Sequence, residues 1–205
     1  MKSGYLIVLE GLDGSGKTSI SRKLAEYLSS TGVDCILTRE PTEHFRRSPE
    51  MENRRDAISS IRMFFEFTLD RIQHVDEIRK WLDSGKVVIC DRFLYSSYAY
   101  QGPGIASEFG GILEAIEWMR SVSKVIGIRP DLVVFLDVDP ETAMSRISRR
   151  TDIQSGFEEL EFLRKVRDAY GKIPETLENV VDASLPMDET MKQVLDTVMP
   201  RIRRS

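Results

Sequence analysis

Residues 10–18 read EGLDGSGKT and directly follow the apolar run YLIVL at residues 5–9. Gly11 to Thr18 match the pattern G-x-x-x-x-G-K-[ST], in which a glycine-rich turn joins a buried strand to a helix. Glycines let the backbone turn its N–H groups inward around phosphate oxygens, and the N-terminus of the following helix adds positive potential. The stretch predicts a nucleoside-triphosphate loop, with the Lys17 ammonium on the terminal phosphates and the Thr18 hydroxyl on Mg²⁺. The predicted triphosphate-binding residues are Gly11, Leu12, Asp13, Gly14, Ser15, Gly16, Lys17 and Thr18.

The composition is that of a compact globular protein. The chain has 205 residues, of which 41% are hydrophobic and 30% are charged, enough for one sizeable core. A net charge of −4 gives no general attraction to nucleic acid or to anionic membranes. We expect no membrane span and no secretory leader, because no apolar run approaches about 20 residues. Cys35 and Cys90 lie in separate strand-like runs and are expected to be buried free thiols, so a cytoplasmic location is predicted.

Short apolar runs alternate with segments of helical period. Nearly continuous apolar runs are typical of parallel strands that are covered on both faces. The expected strands are residues 5–9, 33–38, 86–91, 131–138 and 179–182. We therefore predict an α/β fold of the P-loop NTPase type, a three-layer domain over residues 1–205 with a five-stranded parallel sheet between helices. A short lid is expected at about residues 146–157.

The segment 55–83 is the longest predicted helix. Its apolar residues recur at threes and fours, which predicts that they form its buried face. These residues are Ile58, Ile61, Phe65, Leu69, Ile72 and Val75. Phe67 and Arg71 are one turn apart and away from this stripe, an arrangement suited to stacking on a flat heterocycle and donating to its carbonyl. The alternative is that Phe67 packs against a loop or a second subunit.

Two further groups of charged residues suggest a second, anionic substrate. Asp91 ends the run KVVICD, where an acid faces the ligand crevice of a parallel sheet and can join the Mg²⁺ shell. The adjacent Arg92 can grip a phosphate with two hydrogen bonds, although a strand-end salt bridge would look the same. Arg146, Arg149 and Arg150 recur at helical spacing before a polar stretch, so one of them can place positive charge on a transferring phosphoryl group. A solvated basic helix end is the alternative.

Two further observations argue against a GTPase switch and against catalysis by a histidine. A GTPase switch should contain the guanine-reading pattern N-K-x-D, which the sequence lacks. His44 and His74 both occur in polar, helix-like settings and are expected to be ordinary surface residues. No histidine is therefore predicted to act in catalysis.

Taken together, the motifs resemble thymidylate kinases from the P-loop to about residue 184. The shared stretches are EGLDGSGKT, TREP (38–41), Phe67-x-x-x-Arg71, DRFLYSSYAYQG (91–102), PDLVVFLDV (130–138), VRDAY (166–170) and VDAS (181–184). The resemblance implies transfer of the γ-phosphoryl group of ATP to dTMP with Mg²⁺. It also implies a homodimer formed through helix faces, to which Met63 and Phe64 are expected to contribute.

The resemblance further implies roles for individual residues. It places Asp13 near the sugar and phosphate end of dTMP, Phe67 on the thymine ring, Arg71 on its O4 and Arg92 on the dTMP phosphate. Glu40 is expected near the acceptor phosphate and the metal. The nucleoside pocket is assigned to Ser96, Ser97, Tyr100 and Gln101, with Tyr100 crowding the 2′ position, and the donor adenine to Asp182 and Ser184. The expected catalytic set is Lys17, Asp13, Arg92, Arg149 and Arg150, and the expected metal ligands are Thr18 and Asp91.

The sequence departs from the family pattern at two places. Residues 44–55 lack the usual continuation after TREP, so either Arg46 or Arg47 is a candidate for the acceptor phosphate. The lid is also short, which leaves open which of its arginines acts. Gly14 stands where one family subtype carries a basic residue, whereas the other subtype supplies that charge from the lid, which fits Arg149 or Arg150. One open alternative is a kinase of another nucleoside monophosphate. Another is a kinase of a deoxynucleoside, in which Asp13 or Glu40 would act as the base toward the sugar hydroxyl. A regulatory P-loop protein is a third.

Overall fold

The computed structural model describes residues 4–46, 55–151 and 157–202. Within them, five parallel strands form one sheet in the order β2-β3-β1-β4-β5. The strands are β1 (Tyr5–Gly11), β2 (Cys35–Arg39), β3 (Val87–Asp91), β4 (Leu132–Asp137) and β5 (Val180–Asp182). All five predicted strands and the predicted α/β fold are confirmed, with the strand ends shifted by one or two residues.

Eight α-helices surround the sheet in the described residues. They are α1 (Lys17–Ser30), α2 (Ala57–Asp83), α3 (Leu94–Phe109), α4 (Ile112–Ser123), α5 (Pro140–Thr151), α6 (Phe157–Tyr170), α7 (Pro174–Leu177) and α8 (Met187–Ile202). The expected lid falls at the end of α5 and the start of α6, and its residues 152–156 lie outside the described part. None of the described helices is both long enough and apolar enough to cross a membrane.

The sheet brings the carboxyl ends of β1 and β3 together. Leu9 of β1 pairs with Asp91 of β3, so the phosphate loop after β1 lies beside the acid that ends β3. The side chains of β1 from Leu6 to Leu9 are fully buried, as expected of a central strand with helices on both faces. This edge of the sheet is where open α/β sheets bind ligands.

The predicted buried face of α2 is wrong. Of the six apolar residues in the expected stripe only Val75 is buried, whereas Ile58 and Leu69 are 79% and 63% exposed. The buried face instead carries Met63, Phe64 and several polar residues. Met63 and Phe64 are 5% and 0% exposed, so they are core residues and are not available to a second subunit. The reason is that the inner face of α2 lines a large cavity and supplies it with polar groups, as described below.

The cysteines are both free thiols, as predicted. Cys90 on β3 is fully buried, but Cys35 on β2 is only half-buried, because β2 is an edge strand of the sheet.

Candidate active site

The glycine-rich turn between β1 and α1 has the backbone that its sequence predicts. Gly11, Gly14 and Gly16 all have positive φ angles, and that of Gly14 is +84°. A Cβ atom on Gly14 would lie 2.3 Å from the carbonyl oxygen of Ala143 in α5. No side chain fits there, so this chain cannot carry the P-loop basic residue of the one family subtype.

Lys17, at the start of α1, closes this turn. Its Nζ donates to the carbonyl oxygens of Leu12 at 2.6 Å and Gly11 at 3.0 Å, and only 5% of the residue is exposed. Burial, reinforced by the charge of Arg92, lowers the pKa of Lys17 to about 7. The ammonium is therefore held inside the turn at a point where added negative charge would stabilise it strongly.

Thr18 and Asp91 form a small oxygen cluster beside the turn. The Thr18 hydroxyl donates to Asp91 Oδ2 at 2.7 Å. The other carboxylate oxygen, Oδ1, is buried and has no hydrogen-bond partner among the described residues. A buried, unsatisfied carboxylate oxygen next to a hydroxyl fits a hard divalent cation such as Mg²⁺, which takes few protein ligands and completes its shell with phosphate and water.

Arg92 follows Asp91 and has a φ of +73°, an uncommon backbone conformation for a residue with a side chain. Its Nη2 donates to Asp13 Oδ1 at 2.5 Å, and its Nη1 donates to Ser96 Oγ at 2.9 Å. The Tyr100 hydroxyl accepts from the Asp13 N–H at 2.8 Å and donates to Asp13 Oδ2 at 3.1 Å. Burial would raise the pKa of Asp13, but the charges of Arg92 and Lys17 lower it. Sequence reasoning placed these residues at one site, and the structure brings them together.

Glu10 in β1 connects the phosphate turn to α3 and α6, and the sequence analysis did not identify it. Its fully buried carboxylate accepts from the Phe93 N–H at 2.9 Å, the Ser96 hydroxyl at 2.5 Å and the Tyr170 hydroxyl at 3.0 Å. Burial raises the pKa of Glu10. The acid thus ties β1 to the first turn of α3 and to α6. An acid within an otherwise apolar strand run was the signal that could have revealed it.

Two cavities meet at Asp13 and Arg92. The smaller, about 310 Å³, is lined by Gly14, Lys17, Thr18 and Asp91. The larger, about 730 Å³, extends between α2, α3 and α6 and is within the range of small-molecule sites. Both are also lined by Glu40 and Phe45. A phosphate-binding turn therefore opens directly onto a second, nucleotide-sized cavity.

Phe67 and Gln101 line the larger cavity from α2 and α3. The Phe67 ring stacks on Phe45, with centroids 4.9 Å apart and planes inclined by 28°. Gln101 is buried, and its Oε1 has no hydrogen-bond partner in the described parts of the chain. Phe45, which no sequence motif singled out, thus belongs to the aromatic wall of the cavity.

Arg71 is the most deeply buried cation of the site, with 2% of the residue exposed. Its Nε donates to Glu40 Oε2 at 2.5 Å, and its Nη2 donates to Ser97 Oγ at 3.0 Å and to the carbonyl oxygen of Phe93 at 3.3 Å. Its Nη1 is buried and finds no acceptor within the described residues. Ser96 and Ser97 thus hold the two arginines of the site, and Glu40 is paired with Arg71.

His74 is not a surface residue, contrary to the sequence prediction. It is 2% exposed, with Nδ1 3.1 Å from Glu40 Oε1 and Nε2 2.7 Å from Thr38 Oγ1. The prediction failed because the apolar stripe was assigned to the wrong face of α2. His44 is exposed, as predicted.

The arginines at the end of α5 separate into different environments. Arg146 Nη1 donates to the carbonyl oxygens of Ala183 at 2.8 Å and Gly14 at 3.4 Å, and so ties the loop after β5 to the phosphate turn. In that loop, Ser184 Oγ donates to Asp182 Oδ1 at 2.5 Å. Arg149 is exposed, and the Arg150 side chain lies outside the described residues.

The segment after TREP is only partly described. Arg46 Nη1 donates to the carbonyl oxygens of Glu43 at 2.7 Å and Phe45 at 3.0 Å, so it stabilises the local turn. Arg47 lies outside the described residues. Arg55 forms an ion pair with Glu159 at 2.5 Å and lies 3.9 Å over the Phe162 ring, both in α6. These contacts, which no sequence motif predicted, form one rim of the larger cavity.

The fold and the site together define the class of the protein. A phosphate-binding turn on a parallel sheet, joined to an acceptor-sized cavity with one buried and one partly buried arginine, is the site of a P-loop phosphotransferase. The sequence model of the family described as thymidylate kinase matches residues 9–194. The chain belongs to the thymidylate kinase family, and phosphorylation of dTMP is the activity that this membership assigns to it.

Individual relatives agree with this assignment. A probable thymidylate kinase of Thermoplasma acidophilum is 45% identical over 164 residues, which cover 80% of this chain and 81% of the relative. The probable thymidylate kinase of Pyrococcus abyssi is 38% identical over 86% of each chain. That of Methanosarcina barkeri is 36% identical over 88% of this chain and 89% of the relative.

Proposed function

We propose that the protein acts as a single domain over residues 1–205 and transfers the γ-phosphoryl group of ATP in line to a phosphate oxygen of dTMP. The observation that carries this proposal is the meeting of two cavities at Asp13 and Arg92, one formed by the phosphate turn and the other by Phe67 and Arg71. The attacking oxygen of a nucleoside monophosphate is already anionic at neutral pH, so no general base is required. Catalysis then depends on positioning and on charge.

The donor side is assigned to the P-loop and its neighbours. The backbone N–H groups of residues 11–18 would surround the triphosphate, and Lys17 would move from the carbonyl oxygens of the turn onto the terminal phosphates. The loop with Asp182 and Ser184 would carry the adenine, because Arg146 fixes this loop against Gly14. A lid arginine, Arg149 or Arg150, would add charge to the transferring group once the lid closes.

The metal is assigned to Thr18 and Asp91. Their oxygen atoms suit Mg²⁺, and the unpartnered Asp91 Oδ1 is the observation that supports this assignment. When bound, the ion neutralises charge on the donor phosphates. The protein's own part is to hold the Asp91 carboxylate at the end of β3, where the Thr18 hydroxyl donates to its Oδ2.

The acceptor side is assigned to the larger cavity. Arg92 would hold the dTMP phosphate, and Asp13 would hold Arg92 in place. Phe67 would stack on thymine, and the free Nη1 of Arg71 would donate to its O4. Gln101 would line the nucleoside pocket, and Tyr100 would crowd a 2′-hydroxyl and so favour deoxyribose. Glu40 lines both cavities and would act on the acceptor side mainly by holding Arg71, because its two carboxylate oxygens contact Arg71 and His74.

We further propose a homodimer formed through the exposed face of α2. Ile58, Phe65, Leu69 and Ile72 recur along one side of this helix and are 79%, 43%, 63% and 43% exposed. Four large apolar side chains on one face of a long helix are more than a monomer ordinarily leaves in water. An identical copy provides the matching apolar face through a two-fold axis. A cytoplasmic location remains a prediction, supported by the two free thiols.

The function is tested with a panel of acceptors in the presence of ATP and Mg²⁺. We expect dTDP and ADP from dTMP and no turnover of thymidine. Turnover of thymidine but not dTMP would identify a deoxynucleoside kinase, preferred turnover of another monophosphate would reassign the substrate, and no turnover would favour a regulatory protein. Lys17→Ala is the matched control, because it should abolish turnover while leaving the circular dichroism spectrum unchanged.

A further inference from the structure

We propose that His74 is a positioning residue that sets the geometry of Arg71, and through it the affinity for the acceptor base. This inference rests on the proposed function, because it concerns the same acceptor cavity. His74 lines neither of the two cavities described above, so it would not touch the substrate itself. It lies on the buried face of α2, three residues after Arg71, and contacts the carboxylate that holds this arginine.

The contacts form a continuous chain from the edge strand to the cavity. Thr38 Oγ1 on β2 lies 2.7 Å from His74 Nε2, and His74 Nδ1 lies 3.1 Å from Glu40 Oε1. Glu40 Oε2 then accepts from Arg71 Nε at 2.5 Å. With a neutral imidazole, all contacts are satisfied if the Thr38 hydroxyl donates to Nε2 and Nδ1–H donates to Glu40. The Glu40 carboxylate, which only accepts, thereby selects the tautomer with Nδ1–H, and the Thr38 hydroxyl donates to the remaining nitrogen.

These hydrogen bonds leave one defined donor of Arg71, its Nη1, for a ligand. Arg71 is fixed at Nε by Glu40 and at Nη2 by Phe93 and Ser97, while its Nη1 has no acceptor in the described residues. A long arginine side chain loses much rotational freedom when it is fixed, and a binding site that fixes it in advance avoids that cost on binding. Glu40 can fix Arg71 only while both of its own buried oxygens are satisfied.

Removal of the imidazole should therefore act on Arg71 through Glu40. Without His74, Glu40 Oε1 would be a buried acceptor with no partner, and the carboxylate would gain by rotating away from Arg71 Nε. The guanidinium would then sample several orientations. Since the effect passes through Arg71, it should appear in acceptor binding and not in donor binding.

The test is isothermal titration of dTMP and, separately, of ATP to the full-length protein. His74→Phe keeps the ring shape and removes both nitrogens, and we expect the Kd for dTMP to rise about tenfold, with that for ATP changed less than about twofold. His74→Asn returns an N–H near the position of Nδ1 and should recover most of the dTMP affinity. In steady-state assays, KM for dTMP should rise while kcat at saturating dTMP stays within about twofold.

A double-mutant cycle with Arg71→Met decides between positioning and a general structural role. If His74 acts through Arg71, adding His74→Phe to Arg71→Met should change the Kd for dTMP less than about twofold, whereas independent effects would multiply. Multiplying effects, equal losses of ATP and dTMP affinity, or an unchanged dTMP Kd in His74→Phe would overturn the proposal.

Two controls keep these outcomes separable. If His74→Phe does not fold, Thr38→Val is used instead, because it removes the hydrogen bond between Thr38 and His74 with little change in shape. This variant should still raise the Kd for dTMP selectively, by about threefold for the loss of a neutral hydrogen bond. An unchanged dTMP Kd in Thr38→Val would then overturn the proposal. A wild-type protein that binds no dTMP would refute the proposed function instead, before any variant is considered.

Discussion

Lys17 provides a prediction whose size follows from the structure. In the free protein its ammonium is buried against carbonyl oxygens, and burial lowers its pKa to about 7. A triphosphate in the turn would place several negative charges beside the same nitrogen and would raise the pKa to at least the ordinary lysine value of about 10.4. The free protein at pH 8.5 therefore contains mostly neutral Lys17, and the complex contains charged Lys17.

The sign of the pH dependence follows from this difference. The bound state holds more protons than the free state between pH 7 and about 10, so binding takes up a proton and is opposed by higher pH. At pH 8.5 we expect an uptake of about one proton for each ATP bound. The Kd for ATP should rise about tenfold for each pH unit over most of this interval and should level off below pH 7.

Titration calorimetry measures the uptake directly. The observed binding enthalpy of Mg·ATP at pH 8.5, plotted against the ionisation enthalpy of several buffers, gives the number of protons taken up as its slope. ATP is already deprotonated at this pH, so the protein supplies the effect. Lys17→Arg is the matched control, because arginine stays charged throughout and should bind without proton uptake. A slope of zero in the wild type, or an equal slope in Lys17→Arg, would refute the reasoning.

Three further substitutions test other parts of the site. Phe67→Ala should raise the Kd for dTMP about tenfold through loss of base stacking while leaving that for ATP nearly unchanged, as measured by calorimetry; equal losses of both affinities would identify Phe67 as a packing residue. Asp91→Asn should raise the Mg²⁺ concentration for half-maximal activity by about tenfold and leave dTMP binding unaffected, since the amide keeps the shape of the side chain and removes its charge. Leu69→Glu should convert the proposed dimer to a monomer in sedimentation experiments, with Glu77→Gln, an exposed polar residue away from the apolar face of the same helix, as the control. A Leu69→Glu protein that stays dimeric would place the interface elsewhere.

Much of the fold was predictable because its signals are local. The run at residues 5–9, the glycines that follow it and the helical spacing of Ile20, Leu24 and Leu28 each define an element from neighbouring residues alone. Residues joined by short motifs were also predicted together, as Asp91 and Arg92 illustrate. These signals predicted five parallel strands and a nucleotide-binding turn without any knowledge of packing.

The assignment of the buried face of α2 failed for a physical reason. Hydrophobic periodicity identifies the most apolar face, and in this helix that face carries Ile58 and Leu69, which lie in solvent. The inner face is polar because Arg71 lines the larger cavity from it and His74 is buried beside the same carboxylate, and both contact residues that are distant in sequence. The pair Phe67 and Arg71 was correctly distinguished from the apolar stripe, but it lies on the inner face of α2 and the stripe lies on the outer face.

The five strands, the phosphate-binding turn and the family could be predicted from the sequence alone, because they depend on backbone propensity and on patterns of adjacent residues. Which polar groups are buried, and which partners satisfy them, depends on how the elements pack. Glu10 meets Ser96 and Tyr170, and Glu40 meets Arg71 and His74, across separations of 31 to 160 residues. A buried charge is stable only beside its partners, and those partners become neighbours only when the sheet brings β1, β2 and β3 together with the helices that follow them.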